Sequence, residues 1–404
     1  PPRERGVHWV EPSLVAQVAF TEWTNDGAIR HPTFRGLRED KPATAVVRES
    51  PRGVGAARKD SGRAAGDRRS EAAVQGDAPV SGLERARAWA EGAAPPPRRG
   101  TRPKGPQETQ LEGVRLSHPE RVLFPAEGVT KLDLARYYLA VSEFMVPLIA
   151  RRPLMLVRCP AGIAQQCFFQ KHANDQVPRA VARVDVPEKD GKGSCMYVSS
   201  LEGVLALLNL GALELHTWGC REDRVDRPDR LVFDLDPVPS VRWEGVVELA
   251  LVMKQYLESL GLRSFPKTTG GKGLHIVVPL TRRSSWDEVT AFARGFAQRI
   301  ADAAPGRYTL NMSKARRKGR IFIDYLRNAR GATAVEAYSV RARAGAPVST
   351  PVRWEEVGPK LRPDQWTAVN FEERLRSLKA DPWEGYAETK QALTAALLRE
   401  VGVK

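Results

Sequence analysis

Cysteine and long apolar runs are scarce in this 404-residue chain. The 4 cysteines, Cys159, Cys167, Cys195 and Cys220, include no C-x-x-C pair and no histidine at zinc-finger spacing. Neither a disulfide framework nor a structural zinc is expected, and a reducing cytoplasm suits such a chain. No stretch approaches the roughly 18 apolar residues of a membrane span. The richest, Val204 to Leu215, is shorter and holds Asn209 and Glu214, so no membrane partner is expected. A secretory signal is missing. With no initiating Met and an opening inside what reads as folded sequence, the chain reads as a piece of a longer polypeptide.

What is present is a soluble globular balance, 42% hydrophobic and 27% charged, with length for two or three domains. The 63 Lys+Arg against 48 Asp+Glu leave a formal charge of +15, the mark of a polyanionic partner or of a generally basic proteome. Three zones separate. Residues 1–49 carry a strand-like run from Leu14 to Trp23 and a turn at Asn25-Asp-Gly27, too short for a domain and readable as the end of one. Residues 50–108 are rich in Arg, Ala, Gly and Pro and poor in large aliphatics, so little burial offsets their ordering entropy; a flexible basic linker is expected. Residues 109–404 read as mixed α/β.

Within that third zone Thr130 to Ile149 is expected to be helical, with Thr130 as cap, Asp133 three residues on, and Leu134, Tyr137, Tyr138 and Val141 as apolar stripe. Leu201 to Leu215 reads as a buried helix, Trp243 to Leu260 as a helix closed by Gly261, and Trp286 to Ala303 as a third. Strands are expected at Leu154–Val157, Leu231–Asp236, Leu274–Leu280, Arg320–Tyr325 and Glu336–Val340, and a helical tail from Arg362. No internal repeat of fixed period is evident.

Three constellations carry chemistry. In Leu231-Val-Phe-Asp-Leu-Asp-Pro237, strand alternation puts Asp234 and Asp236 on one face. Two adjacent carboxylates call for a cation or a shared proton, and hard oxygen donors suit Mg²⁺ or Mn²⁺; a solvated turn is the plainer alternative. In Lys267-Thr-Thr-Gly-Gly-Lys-Gly-Leu-His275 three glycines allow close backbone approach to a phosphate and Lys272 adds positive charge. It is not a Walker A loop, and an ordinary Gly-rich hairpin with a core histidine is the other reading. In Asn311 to Tyr325 a dense Arg/Lys run leads into a strand whose lone carboxylate, Asp324, needs a partner if buried. Together these are the parts of a two-metal phosphoryl-transfer site.

In this order the three motifs resemble the archaeo-eukaryotic primase superfamily, most closely the polymerase domain of bacterial multifunctional DNA ligase D. Leu116-Ser-His-Pro-Glu-Arg-Val-Leu-Phe-Pro125, Phe168-Phe-Gln-Lys-His172, Glu214-Leu-His-Thr-Trp218 and Asp324-Tyr-Leu-Arg-Asn328 extend the similarity over essentially all of 109–404. The stretches Trp9-Val-Glu-Pro-Ser-Leu-Val and Arg30 to Lys41 resemble the last strands of the oligonucleotide-binding (OB-fold) domain of the same family's ATP-dependent ligase. The nucleotide-accepting K-x-D-G is missing, since Glu188-Lys-Asp-Gly191 puts Lys189 one position out. This chain is therefore not expected to ligate.

The resemblance implies a primase-type α/β core, a central mixed sheet covered on both faces, after an all-β OB-fold fragment. It implies Asp234, Asp236 and Asp324 as ligands of two Mn²⁺ or Mg²⁺ ions; Lys272 and His275 at the triphosphate of an incoming NTP or dNTP; and Thr269, where Ser is usual, at its ribose. Arg317, Arg341 and Arg343 complete the triphosphate pocket, Lys171 and His216 line the nucleotide and primer path, and Lys131, Arg121 and His118 grip a downstream 5′-phosphate. Implied partners are gapped or broken duplex DNA and a bacterial Ku homodimer, in the nucleoid-associated cytoplasm, for gap filling in non-homologous end joining with a preference for ribonucleotides. Two other readings remain at this point: a non-catalytic DNA-end-binding module that delivers a ligase, and a metal nuclease, which has less need of Arg341 and Arg343.

Overall fold

The computed structural model describes residues 16–19, 33–37, 109–111, 113–188 and 191–403. The chain divides into two units, Pro1–Gly76 and Asp77–Lys404. In the first, β1 (Ala16–Ala19) pairs antiparallel with β2 (Thr33–Leu37), as the strand-like run before Trp23 predicts. The turn at Asn25-Asp-Gly27 and the expected linker at 50–108 lie outside the described residues.

The first described elements of the second unit are two hairpins, β3 (Thr109–Leu111) with β4 (Val114–Leu116) and β5 (Val122–Phe124) with β6 (Val129–Thr130). Helix α1 (Lys131–Ala140) starts on the expected capping box: Thr130 accepts from the Asp133 N–H while Asp133 accepts from the Thr130 N–H. The predicted single helix is two. The Ser142 hydroxyl donates to the Leu139 carbonyl, competing with the backbone ladder, and α2 (Ser142–Ile149) restarts after Val141.

Instead of one central sheet there are two. The first contains β7 (Leu154–Arg158), β8 (Phe168–Gln170), β9 (Ala182–Glu188), β10 (Gly191–Tyr197), β11 (Ala212–Thr217) and β17 (Ala334–Val335), in the order β17-β11-β7-β10-β9 with β8 also on β7. The second runs β13 (Phe265–Thr268), β14 (Leu274–Pro279), β12 (Arg230–Pro237), β16 (Ile321–Asp324), β15 (Tyr308–Thr309), and is mixed because only β15 and β16 run parallel. Helices α1, α2, α3 (Leu201–Asn209) and α6 (Phe371–Ser377) pack into the first sheet's core, and α4 (Trp243–Ser259), α5 (Trp286–Ala303) and α7 (Ala395–Glu400) into the second's. The buried apolar residues accordingly fall into two main clusters, one on each sheet. Among the described residues no helix is long and apolar enough to cross a membrane.

Four further expectations are corrected. The apolar run Leu201–Leu215 is a helix only to Asn209. Gly211, at φ +83° and so close to Pro160 that a Cβ would lie 2.7 Å from its Cα, turns the chain into β11. Glu336–Val340 is not a strand, because Tyr338 sits at φ +64°; β17 ends at Val335 and Val340 bridges Val348 singly. The tail after Arg362 is mostly irregular, α6 and α7 excepted. Finally, Cys159 and Cys167 form a disulfide, with Cα atoms 4.4 Å apart. The antiparallel register Arg158↔Phe168 brings their neighbours Cys159 and Cys167 face to face, which spacing alone does not reveal. Cys195 and Cys220 are free and buried.

Buried ion pairs tie the sheets together. Arg230 of β12 donates to Glu336 (2.8 Å) just after β17, and Thr217 of β11 donates to the same carboxylate (2.6 Å). Arg152 holds Asp229 with two bonds of 2.5 and 2.9 Å. Burial opposes the Glu336 charge, but Arg230 outweighs it and keeps the carboxyl below its ordinary value of 4.5. A carboxyl held low in the folded state adds stability above its unfolded value and loses it as pH falls through the folded one. Glu336→Ala, which strands a buried guanidinium, should lower the unfolding free energy by about 3–5 kcal/mol and blunt the loss of stability below pH 4.5. Urea titrations across pH that superimpose for mutant and wild type would contradict this.

Candidate active site

The centre of the second sheet is a row of ionisable side chains. On β12 the two-residue period puts Asp234 and Asp236 on one face. Cross-strand register sets Asp234 between His275 of β14 and Asp324 of β16, with Asp236 opposite Phe322. Asn328 fixes this pairing, since its side-chain amide accepts from Val232 N–H and donates to Val232 C=O as a further strand would.

Each carboxylate meets a cation or ring. Arg327 reaches Asp234 (3.3 Å) and Asp324 (3.1 Å), and His275 Nε2 lies 3.4 Å from Asp234. Lys272 and Arg317 hold the two oxygens of Asp236 at 3.4 and 3.1 Å. Arg317 also donates to the Asn311 and Met312 carbonyls and stacks on Phe322, so it is fixed in place. Burial alone would raise the Asp234 carboxyl, but His275, Arg327 and Lys267 outweigh it and hold it well below the usual carboxylate range. Asp324 goes the other way: burial pushes it up, the Asp234 charge adds to that, and Arg327 offsets only part. Burial with Lys267 alongside pulls His275 down to about 4, leaving a neutral ring at pH 7. Three carboxylates on one face offer the hard oxygen donors a divalent cation takes, although their ligand atoms are not gathered within 4.8 Å of one another as they stand, and the high Asp324 carboxyl is the group such a charge would relieve.

Above β12 the Gly-rich segment folds into a tight loop. Thr269 closes it, its N–H donating to the Gly273 carbonyl (3.2 Å) and its hydroxyl meeting both Gly273 N–H (3.2 Å) and Gly273 C=O (3.1 Å). Gly270 takes φ +61°. Gly273 must lack a side chain, because a Cβ would lie 2.4 Å from the Leu235 carbonyl oxygen. Arg341 donates to Thr269 C=O (2.5 Å) and pairs with Glu214 (3.0 Å), which also holds His216 (2.8 Å). Burial opposes the Glu214 charge, yet His216 and Arg341 bring its pKa down to about 2. Exposed Arg343 lies beside Gly271, where a Cβ would stand 3.4 Å from its Nη1.

The primase-polymerase domain profile of LigD matches residues 130–383, and that of the C-terminal region of ATP-dependent DNA ligases matches residues 1–41. The chain is 37% identical to the multifunctional non-homologous end joining protein LigD of Pseudomonas aeruginosa, over 100% of this chain and 44% of that protein. It is 35% identical to the LigD of Mycolicibacterium smegmatis over 63% of this chain and 34% of that one. Among solved structures, a polymerase domain from Mycobacterium tuberculosis ligase D, in complex with DNA, matches with a TM-score of 0.64 and 33% identity, covering 68% of this chain and 99% of that one. This chain belongs to the LigD primase-polymerase family. It spans less than half the length of these curated LigD relatives.

Of the residues singled out from sequence, the LigD-type fold brings His275 to Asp234 and both Lys272 and Arg317 to Asp236, and Arg327 links Asp324 to Asp234. Thr269, Arg341, Arg343 and His216 join them around the loop. Lys171 is elsewhere, just past β8, where it pairs with Glu188 of β9 (2.7 Å). Lys131, Arg121 and His118 form their own cluster at the start of α1. Arg121 N–H donates to His118 C=O and Lys131 N–H to Arg121 C=O. Lys131 is buried, its ammonium donates to Ser117 C=O (2.6 Å), and burial pulls it down to about 8.

Sequence reasoning gave no role to Arg327, Glu214 or Lys267. All three lie inside the family-matching motifs, Lys267 at the start of the Gly-rich one, and the arginine three residues past Asp324 is the clearest signal. Lys267 is buried, donates to Val335 C=O (2.9 Å) and Ser349 (2.6 Å), and is pulled down to about 7 by burial. The Thr269 hydroxyl, expected at a ribose, is engaged within its own loop. Thr269→Val, nearly isosteric, strands the buried Gly273 N–H and should cost about 1–3 kcal/mol of stability in urea titration; an unchanged midpoint would show that this hydroxyl does not close the loop.

Proposed function

We propose that residues 109–404 are a template-directed nucleotidyltransferase that extends a primer 3′-hydroxyl from nucleoside triphosphates. It would fill short gaps at broken duplex ends, within a longer polypeptide that also ligates. The observation that carries this reading is the convergence of Asp234, Asp236 and Asp324 beneath a Gly-rich loop ringed by Lys272, Arg317, Arg341 and Arg343. Membership of the LigD family and the relatives' names support the end-joining context, in which a Ku dimer is the expected partner. Residues 1–49 would be the end of a ligase OB-fold domain, 50–108 a linker.

In this reading the loop N–H groups and Lys272 receive the triphosphate, with Arg317 and Arg343 fixing its outer charge. Arg341, anchored by Glu214, holds the loop at the height the sugar and phosphates require. Asp234, Asp236 and Asp324 would hold two divalent cations, which when bound supply charge stabilisation for phosphoryl transfer. Arg327, paired with Asp234 and Asp324, and Lys272, paired with Asp236, aim those carboxylates meanwhile. Neutral His275 holds Asp234 from the β14 side without adding charge. Lys131, Arg121 and His118 would read a downstream 5′-phosphate, a contact that positions the gap and takes no part in chemistry. The surplus of +15 supplies non-specific grip on the duplex.

A purely DNA-binding module has no use for three converging carboxylates, which repel the phosphates it binds, so the catalytic reading is preferred. On a gapped duplex with a 5′-phosphate and Mn²⁺, Asp236→Ala should lose nucleotide addition by at least about 100-fold while keeping DNA affinity, since several kcal/mol of barrier stabilisation goes with the metal. Extension by the mutant at the wild-type rate would overturn the assignment.

A further inference from the structure

Away from the carboxylate row, the first sheet holds a convergence of metal-ligand atoms. His172, two residues past β8, bridges Cys195 of β10, and Glu188 ends the neighbouring β9. A ring nitrogen of His172, a carboxylate oxygen of Glu188 and Sγ of Cys195 all lie within 4.8 Å of one another. His172 Nε2 and Glu188 Oε2 are 3.6 Å apart.

Three features make this a built site. Cys195 is a free thiol, 0% exposed, seated among Val186, Trp218 and Trp286. Gly193 leaves the space in which the other two meet, since a Cβ there would lie 2.6 Å from His172 Cε1 and 2.7 Å from Glu188 Cδ. Lys171 takes Glu188 Oε1 at 2.7 Å, which aims the carboxylate and leaves Oε2 turned to the histidine.

We propose that His172, Glu188 and Cys195 bind one divalent transition-metal ion of the zinc class, distinct from the ions of the carboxylate row. One nitrogen, one oxygen and one thiolate suit a borderline-soft, tetrahedral ion, whereas the all-oxygen set of Asp234, Asp236 and Asp324 suits Mg²⁺ or Mn²⁺. Donor chemistry thus sorts two metals between two sites. His172 is exposed, so the fourth position opens to solvent. On binding, Cys195 forms the metal–sulfur bond and releases its proton to solvent. The ion would clamp the end of β8, which carries the exposed Phe168 and Phe169, onto the β9–β10 hairpin. The ligands are 16 and 7 residues apart in sequence (172 to 188, 188 to 195), outside zinc-finger spacing, and only strand pairing unites them.

The test uses the full chain with Asp234→Asn and Asp236→Asn, stripped with a chelator, then titrated with Zn²⁺ or Co²⁺. The expected result is one equivalent of tightly bound Zn²⁺ and, with Co²⁺, a thiolate-to-cobalt charge-transfer band. Cys195→Ser should abolish that band. His172→Ala and Glu188→Gln, at the two ligands that reach solvent, should each weaken Zn²⁺ at least about 10-fold with the metal-free Tm unchanged, since even outer partners of metal ligands are worth that much. Absence of the band in the parent, its survival in Cys195→Ser, or Zn²⁺ affinity unchanged in both His172→Ala and Glu188→Gln would overturn the proposal.

Discussion

The governing constraint is negative charge packed into the middle of a sheet. Asp234 and Asp324 are cross-strand partners, and Asp236 is one pleat along. Like charges so placed, two of them largely out of water, cannot persist without compensation. The fold answers with cations from separate segments: Lys272 from the Gly-rich loop, Arg317 from the basic run and Arg327 from the turn after β16, while neutral His275 on the next strand adds a polar contact. The compensation is uneven. Asp234 is held ionised while Asp324 is pushed up, which leaves the row short of positive charge on the β16 side.

The same logic holds the sheets together. Arg230 with Glu336, Arg152 with Asp229 and Glu214 with Arg341 each join segments distant in sequence, and each pair is largely buried. Lys267 adds a bond from β13 to the end of β17. Truncating one partner leaves the other charged and unpaired, so these ties specify how the two sheets meet. Arg341 is the link between this framework and the site: its anchor, Glu214, belongs to the first sheet, and its guanidinium supports the loop over the second.

Features governed by local periodicity were legible in the sequence. The Asp-x-Asp pair needed only the two-residue period, α5 kept its predicted bounds, and the Thr130–Asp133 box was readable from two residues. Features set by long-range register were not. The Cys159–Cys167 bond follows from how β7 meets β8, and the His172–Cys195 bridge from how the segment after β8 meets β10. The apolar run after Leu201 suits a buried helix and a buried strand equally, and Gly211 decides between them through a backbone contact with Pro160 that is absent from local sequence. Tyr338 at φ +64° is a tertiary effect on a residue whose type argues for strand. Family resemblance implies a ribose contact for the Thr269 hydroxyl, and periodicity gives no hint that this hydroxyl also bonds Gly273 within its own loop.

The central claim, that the Asp234, Asp236 and Asp324 row is built to be completed by divalent cations, is tested most directly by thermal unfolding with and without Mn²⁺. A ligand bound only by the folded chain raises its stability with concentration in a defined way. Wild type should show a saturable rise in Tm, enhanced by a nucleoside triphosphate, and Asp324→Asn should lose most of it. An equal rise in Asp324→Asn, or none in the wild type, would contradict the claim.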